Sequence, residues 1–262
     1  MECLHMSGGG NDFMIIDARG MEQQLDFSKM ALELCAKTGA DGFIALGNSD
    51  KADIRMHFYN CDGSREEMCG NGSRCLCKFA YDHGITGESL VLESDAGLVP
   101  GQRLGDELYR VDLNIPTVLD LERREDAAYL ELGDPGLPHS VTEIPGMQWE
   151  DADALRPKAL ELRHNTVDFP RGGTNVNFYT WTGEDSVRLM TFERGVEDYT
   201  LACGTGSGST AAVIWAQGKL PGGKLRVTNK GGDLFVKVEA ENGKITRLAL
   251  EGPAVVLAAY EI

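Results

Sequence analysis

The sequence predicts an α+β protein made of two similar halves, each with one long helix among many strands. Three observations predict it. The stretch Met68-Cys69-Gly70-Asn71-Gly72-Ser73 returns 134 positions later as Ala202-Cys203-Gly204-Thr205-Gly206-Ser207. Each copy opens a segment whose apolar spacing is helical. The order strand, turn, Cys-Gly-x-Gly, helix, strands therefore occurs twice, as a duplicated unit would give.

Composition sets the limits. A chain of 262 residues fits one large domain or two of ordinary size, and either buries a real core. Its 32 glycines call for many tight turns. The net charge of −16 repels phosphate backbones and anionic bilayers, which argues against nucleic acid and membrane as partners. The seven cysteines are odd in number, and Asn11 and Asp12 interrupt the first apolar run, so no secretory segment is read there. No apolar run reaches membrane length. A reducing cytoplasm with thiols is the expected setting.

Taken in order, residues 1–17 alternate around the glycine cluster 7–12, followed by a buried strand at 13–17. Asn11 follows three glycines, which allows close backbone approach and presents its side chain at a surface. Residues 27–37 carry apolar positions at helical spacing, with Asp26 or Ser28 as the cap. Strands are expected at 43–46 and 53–59, then a turn at 60–64. The first Cys-Gly-x-Gly helix is expected over about 73–83, ended by Gly84. Strands follow at 89–94, 98–100 and 108–113, and the first half closes at residue 116, completed by the C-terminal strand 253–262. The second half is expected to span 117–252. Residues 123–136 read as charged and then turn-rich, and 137–141 as a loop entering a strand. A helix is expected at 151–162 with a kink at Pro157. Strands are expected at 176–181 and 186–193. The second Cys-Gly-x-Gly helix is expected over about 207–217. Strands at 224–228, 234–240, 245–251 and 255–260 finish the chain.

The cysteine turns carry the chemistry. A thiol beside exposed backbone N–H groups, at the positive end of a helix, is placed to have its pKa lowered and to sit next to a bound carboxylate. Gly70, Asn71, Gly204 and Thr205 supply the amides. The bland reading, a small buried cysteine at a tight turn, serves one copy but not two with matching glycines. Structural zinc is disfavoured: Cys69, Cys75 and Cys77 lack paired spacing, and the last two point about 200° apart on a helix. A phosphate loop is weakly suggested at 204–208, but the Gly-Lys-Ser/Thr ending is missing. Glu193-Arg194 offers a carboxylate and a guanidinium able to hold an amino acid's two charges, or a plain surface ion pair. His139 sits in a Pro-His turn, where a lone histidine is more often structural.

Taken together, Gly9-Gly10-Asn11-Asp12-Phe13, Asn60-Cys61-Asp62-Gly63-Ser64, Pro138-His139, Thr174-Asn175, Phe192-Glu193-Arg194-Gly195 and the two cysteine motifs resemble the diaminopimelate epimerase family, nearly end to end and in order. The resemblance implies two pseudo-symmetric halves, each a sheet or barrel of strands wrapped around a central helix, with the active site in the cleft between them. It implies epimerisation of LL- to meso-diaminopimelate for lysine and peptidoglycan synthesis, without pyridoxal phosphate, other cofactor or metal. Cys69 and Cys203 correspond to the acid–base pair. Gly70, Asn71, Gly204 and Thr205 correspond to groups on the reacting carboxylate, and His139 and Glu193 to groups that tune the thiols. Asn11, Asn60, Asn175, Glu193 and Arg194 correspond to substrate contacts. The expected partners are an amino-acid substrate and a second copy of the chain in a homodimer.

The chain departs from the family pattern at the distal end of the substrate. Leu137 stands where many members have an asparagine, Gly42 where a glutamine is common, and the run after Arg194 is one residue longer. Two alternatives follow: a related racemase acting on another amino acid such as histidine, and a catalytically silent amino-acid-binding protein. Binding alone needs neither cysteine. Arg194 favours a substrate with a second carboxylate.

Overall fold

The structure is a computed structural model describing residues 1–262. The chain divides into two compact units, Met1–Asp112 with Glu251–Ile262, and Leu113–Leu250.

The first unit runs β1 (Glu2–Ser7), β2 (Asp12–Asp17), α1 (Phe27–Thr38), β3 (Gly42–Gly47), β4 (Ile54–Asn60), β5 (Arg65–Glu66), α2 (Gly70–Asp82), β6 (Ser89–Ser94), β7 (Gly97–Arg103) and β8 (Leu108–Leu113), the last ending at the unit boundary. β1 and β2 pair antiparallel, β2 and β3 parallel with Phe13 opposite Gly42, and β3 and β4 antiparallel. α1 starts where Asp26 accepts the Lys29 N–H at 3.1 Å and stops at Gly39, whose φ of 78° is open to glycine at no steric cost. Its apolar face, Ala31, Leu34 and Cys35, packs with Met14, Ile16 and Phe43 in one core. α2 is different: ten of its thirteen residues are buried, because β1, β2, β3 and β7 all pack around it. A Cβ at Gly101 of β7 would stand 2.5 Å from Cys77 Sγ, so glycine there lets the strand close on the helix.

The second unit runs β9 (Pro116–Arg124), β10 (Ala127–Leu132), β11 (Leu137–Glu143), a 3-10 turn (Trp149–Asp151), α3 (Ala152–His164), β12 (Asn175–Gly183), β13 (Ser186–Glu193), β14 (Asp198–Tyr199), α4 (Gly204–Ala216), β15 (Lys224–Asn229), β16 (Gly232–Glu241) and β17 (Lys244–Pro253), which crosses the boundary. β11 and β12 are parallel, with His139 opposite Asn175. α4 is the counterpart of α2. It is built of Gly, Ser, Thr and Ala for most of its length, ten of its residues are buried, and β9 to β12, β15 and β16 pack on it. β18 (Val255–Glu261) returns to the first unit and pairs antiparallel with β1, Tyr260 opposite Cys3.

Three local expectations are corrected. The stretch 123–136 turns only at 125–126 and 133–136, and holds strand that was not expected: β9 reaches Arg124 and β10 fills 127–132, paired so that Leu130 faces Leu119. All six β10 residues are buried, including Glu131, whose carboxylate receives the Tyr129 hydroxyl and the Arg171 guanidinium. The charges of residues 123–126 sit at the hairpin tip and hid the strands on either side. Residues 137–139 belong to β11 rather than to a loop. The two cysteine helices begin at Gly70 and Gly204, directly after each thiol, and not three residues later. Their poor helix formers occupy the first turn, where the missing intrahelical partners are supplied by the cap. Pro157 lies inside α3, which continues to His164.

Candidate functional site

In the first unit, Cys69 is the N-cap of α2. Its backbone is extended (φ −134°, ψ 118°) and its Sγ accepts the Gly72 N–H at 3.5 Å. This is the bond a capping serine or aspartate makes, with sulfur in place of oxygen. The thiol is half-buried and faces the positive end of a thirteen-residue helix.

Behind the turn runs a chain of amides with one possible sense. Arg74 Nη2 donates to Asn71 Oδ1 at 2.9 Å, Asn71 Nδ2 to Asn11 Oδ1 at 2.8 Å, and Asn11 Nδ2 to Asp41 Oδ2 at 3.3 Å. A group that only donates stands at one end and a carboxylate at the other, so both amides are oriented. Arg74 is fully buried, and its other partners are the carbonyls of Gly8, Gly70 and Pro253; none is a carboxylate. Burial accordingly pushes its guanidinium down to about 10. Asp41 is shifted upward by burial, an effect opposed by the Asp12 N–H and by Asn11. Asn60 stands apart from this chain and gives its amide protons to Ser64 and Glu66.

In the second unit, Cys203 caps α4 in the same way. Its φ and ψ are −122° and 116°, and Sγ accepts the Gly206 N–H at 3.3 Å. Thr205 Oγ1 lies 3.4 Å from the sulfur. The electrostatics depart from the sequence expectation of a lowered pKa. Burial pushes the Cys203 thiol well up, the Glu193 carboxylate beside it adds to the rise, and the Thr205 hydroxyl and Gly206 N–H only partly oppose them. Burial and Glu193 both favour the protonated thiol at Cys203. Glu193 is itself held by the Thr200 hydroxyl.

The same unit gathers the remaining sequence candidates at the ends of β11, β12 and β13. Asn175 Nδ2 donates to the Pro138 carbonyl at 3.1 Å and its Oδ1 accepts the Arg194 N–H at 2.9 Å, so this amide braces both neighbours. Arg194 sends Nη1 to the Arg171 carbonyl at 2.8 Å and has no carboxylate partner in the chain. His139 has no solvent exposure. Burial, with the Arg194 charge nearby, lowers it from 6.5 to about 3, which keeps the ring neutral.

Sequence reasoning passed over Arg74, Asp41, Asn177 and Thr191. Arg74 had a legible signal, a cation four residues into a helix that reads as central. Asn177 and Thr191 had none, since a polar residue in a strand is ordinarily a solvent-facing one. Among the described residues no three His, Cys, Asp or Glu side chains converge as metal ligands, and Cys75 and Cys77 are buried thiols pushed up to about 12.

A family model described as diaminopimelate epimerase matches residues 3–113 and 133–257. The diaminopimelate epimerase of Chlorobaculum tepidum is 36% identical over 253 residues, covering 95% of this chain and 96% of that protein. That of Methanothrix thermoacetophila is 36% identical, covering 97% and 93%. Among solved structures, a hydroxyproline epimerase from Agrobacterium vitis superposes with a TM-score of 0.72 at 16% identity, over 100% of this chain and 90% of that one. A PhzF-family phenazine biosynthesis protein from Bacillus anthracis does so with a TM-score of 0.69 at 17% identity, over 100% and 98%. These two likenesses are of fold. No helix is long and apolar enough to cross a membrane.

Proposed function

The chain belongs to the diaminopimelate epimerase family, and from that premise we propose that it is an isomerase interconverting LL- and meso-diaminopimelate, with Cys69 and Cys203 as the acid–base pair. The observation that carries the reading is the twin cap: two cysteines, each the N-cap of a buried helix, each with its sulfur on the N–H three residues on. An amino-acid α-hydrogen is a very weak acid. A thiolate removes it, the C–H electron pair passes into the adjacent carboxylate, and a thiol on the opposite face returns a proton to the carbon. One C–H bond breaks and one forms, and the two cysteines exchange protonation states.

No cofactor serves as electron sink in this reading. The N–H groups at Gly70, Asn71, Gly204 and Thr205 meet the charge that develops on the carboxylate. Each such preorganised donor is worth about 3 kcal/mol of barrier. Arg194, with no carboxylate of its own, takes the distal carboxylate, while Asn11, Asn60, Asn175 and Glu193 complete the substrate contacts. A cytoplasmic location and a homodimer belong to the same reading. Buried thiols at Cys3 and Cys35 suit reducing surroundings, and the exposed Val256, Leu257 and Tyr260 of β18 are apolar surface that a second copy would cover.

The test is α-proton exchange in D₂O with LL-diaminopimelate. Wild type should incorporate deuterium and invert, whereas Cys69→Ala and Cys203→Ala should each lose inversion. Inversion by either variant at near wild-type rate would sink the two-base reading.

A further inference from the structure

His139 is the buried histidine whose proton has to be placed before the site can be understood. Its Nδ1 lies 3.1 Å from Asn177 Nδ2. Which end of the Asn177 amide faces the ring is decided by its other neighbours. Nδ2 is also 2.9 Å from the Ser140 carbonyl oxygen, which can only accept, while Oδ1 is 3.0 Å from Thr191 Oγ1, which can donate. Turning the amide over would set its oxygen against the Ser140 carbonyl and leave two lone pairs facing each other. Nδ2 therefore points at His139, and Nδ1 must accept. A neutral ring then carries its one proton on Nε2. That Nε2 is buried and meets no partner anywhere in the chain. A buried N–H donor without an acceptor is rare and costly, and an acceptor that arrives with the reacting complex accounts for it.

The same amide reaches the thiol turn. A Cβ built on Gly206 would collide with Asn177 Oδ1 and Thr191 Oγ1, so the pair lies directly against the first turn of α4. Gly206 is the residue whose N–H holds Cys203 Sγ.

We propose that Asn177 is a positioning residue that locks His139 as the Nε2–H tautomer, so that the ring donates a hydrogen bond to an anion in the reacting complex and does not carry the substrate's proton. The inference deepens the two-cysteine reading and rests on it for the identity of the complex. A neutral donor strengthens as negative charge gathers on its acceptor, and it adds no fixed positive charge to a buried site. Two acceptors fit this chemistry, a substrate carboxylate oxygen and a thiolate sulfur.

The test is ¹⁵N NMR of the histidine rings in the whole protein at pH 7.5, with His139 assigned by its loss in His139→Gln. The expected spectrum has Nδ1 bare and Nε2 protonated. An Nδ1–H tautomer or a doubly protonated ring would overturn the lock, whatever the enzyme proves to turn over. Asn177→Asp puts an acceptor where Nδ2 stood. It should move the proton to Nδ1, or charge the ring, and lower kcat about a hundredfold with KM within about threefold. Unchanged kcat with a moved proton would overturn the functional half of the proposal. The wild-type spectrum decides the tautomer even if that variant does not fold. Adding diaminopimelate to Cys69→Ala should shift the Nε2–H resonance if a carboxylate is the acceptor. A shift confined to wild type identifies a thiolate, and no shift in either would remove the acceptor.

Discussion

Gly72 and Gly206 occupy the same place in the two cysteine turns, and replacing each with alanine separates what the turn needs from what surrounds it. Both lie in the first turn of a helix, where alanine is intrinsically better than glycine by about 1 kcal/mol. At position 72 the new methyl would stand 2.7 Å from Ile44 Cδ1 and 3.3 Å from Met56 Cε, the ends of two flexible side chains. Those ends can swing by a few tenths of an ångström, and the intrinsic gain offsets most of the crowding. At position 206 the methyl collides with Asn177 Oδ1 and would stand 2.7 Å from Thr191 Oγ1. That pair is fully buried and hydrogen-bonded to Ser140 and His139, so it has nowhere to go. Overpacking costs about 2 kcal/mol, and a buried polar group stripped of its partner about 2 kcal/mol more. Less the propensity gain, Gly206→Ala should lose about 3 kcal/mol, while Gly72→Ala should stay within about 1 kcal/mol of wild type. Because the Gly206 N–H also holds the Cys203 sulfur, a shift of the turn should lower kcat about a hundredfold. Urea unfolding with the m-value checked, together with deuterium exchange at the α-carbon, measures both effects. Equal losses at the two positions, or a larger one at 72, would refute the reasoning.

Two further outcomes follow from the second unit. His139 is neutral when folded down to about pH 3 and takes its proton near 6.5 when unfolded. Between those values the unfolded chain binds a proton that the folded chain refuses, so stability falls as the pH falls. The slope is about 1.4 kcal/mol per pH unit from this one group, and nothing is lost above pH 7. The difference in unfolding free energy between wild type and His139→Gln, followed from pH 8 to pH 4, should show that slope; parallel curves would contradict it. Arg194 meets only carbonyl oxygen in the chain, so wild type should prefer diaminopimelate over histidine, alanine and glutamate by at least about a hundredfold in kcat/KM, and Arg194→Leu should lose most of that margin. Faster racemisation of histidine by wild type would move the substrate to the alternative amino acid.

The cysteine turns were legible to within three residues because their information is local: a thiol, two glycines and a helical pattern mark a helix start without reference to the rest of the chain. The two ends of α1 were legible for the same reason, through Asp26 and Gly39. The β9–β10 hairpin was not. β9 carries Asp120, Glu122, Arg123 and Arg124 with no clean alternation, and β10 buries Glu131 through partners at Tyr129 and Arg171, one of them forty residues away in sequence. Long-range pairing decided what local polarity concealed. The candidate site divides along the same line. The capping sulfurs could be read from spacing. The orientation of Asn71 by Arg74, the bracing of Arg194 by Asn175 and the rise of Cys203 beside Glu193 depend on which residues folding brings together.

β18 gives the first unit a chain order that bears on how the protein is made. Residues 251–262 are translated after all of 113–250, yet they pair with β1 and supply the Pro253 carbonyl to Arg74. On the ribosome the second unit therefore has its full set of strands while the first still waits with the edge of β1 open and the guanidinium of Arg74 short of one acceptor. The part of the chain synthesised first is finished last, and the exposed edge of β1 is the place where a nascent chain would need protection from pairing with a stranger.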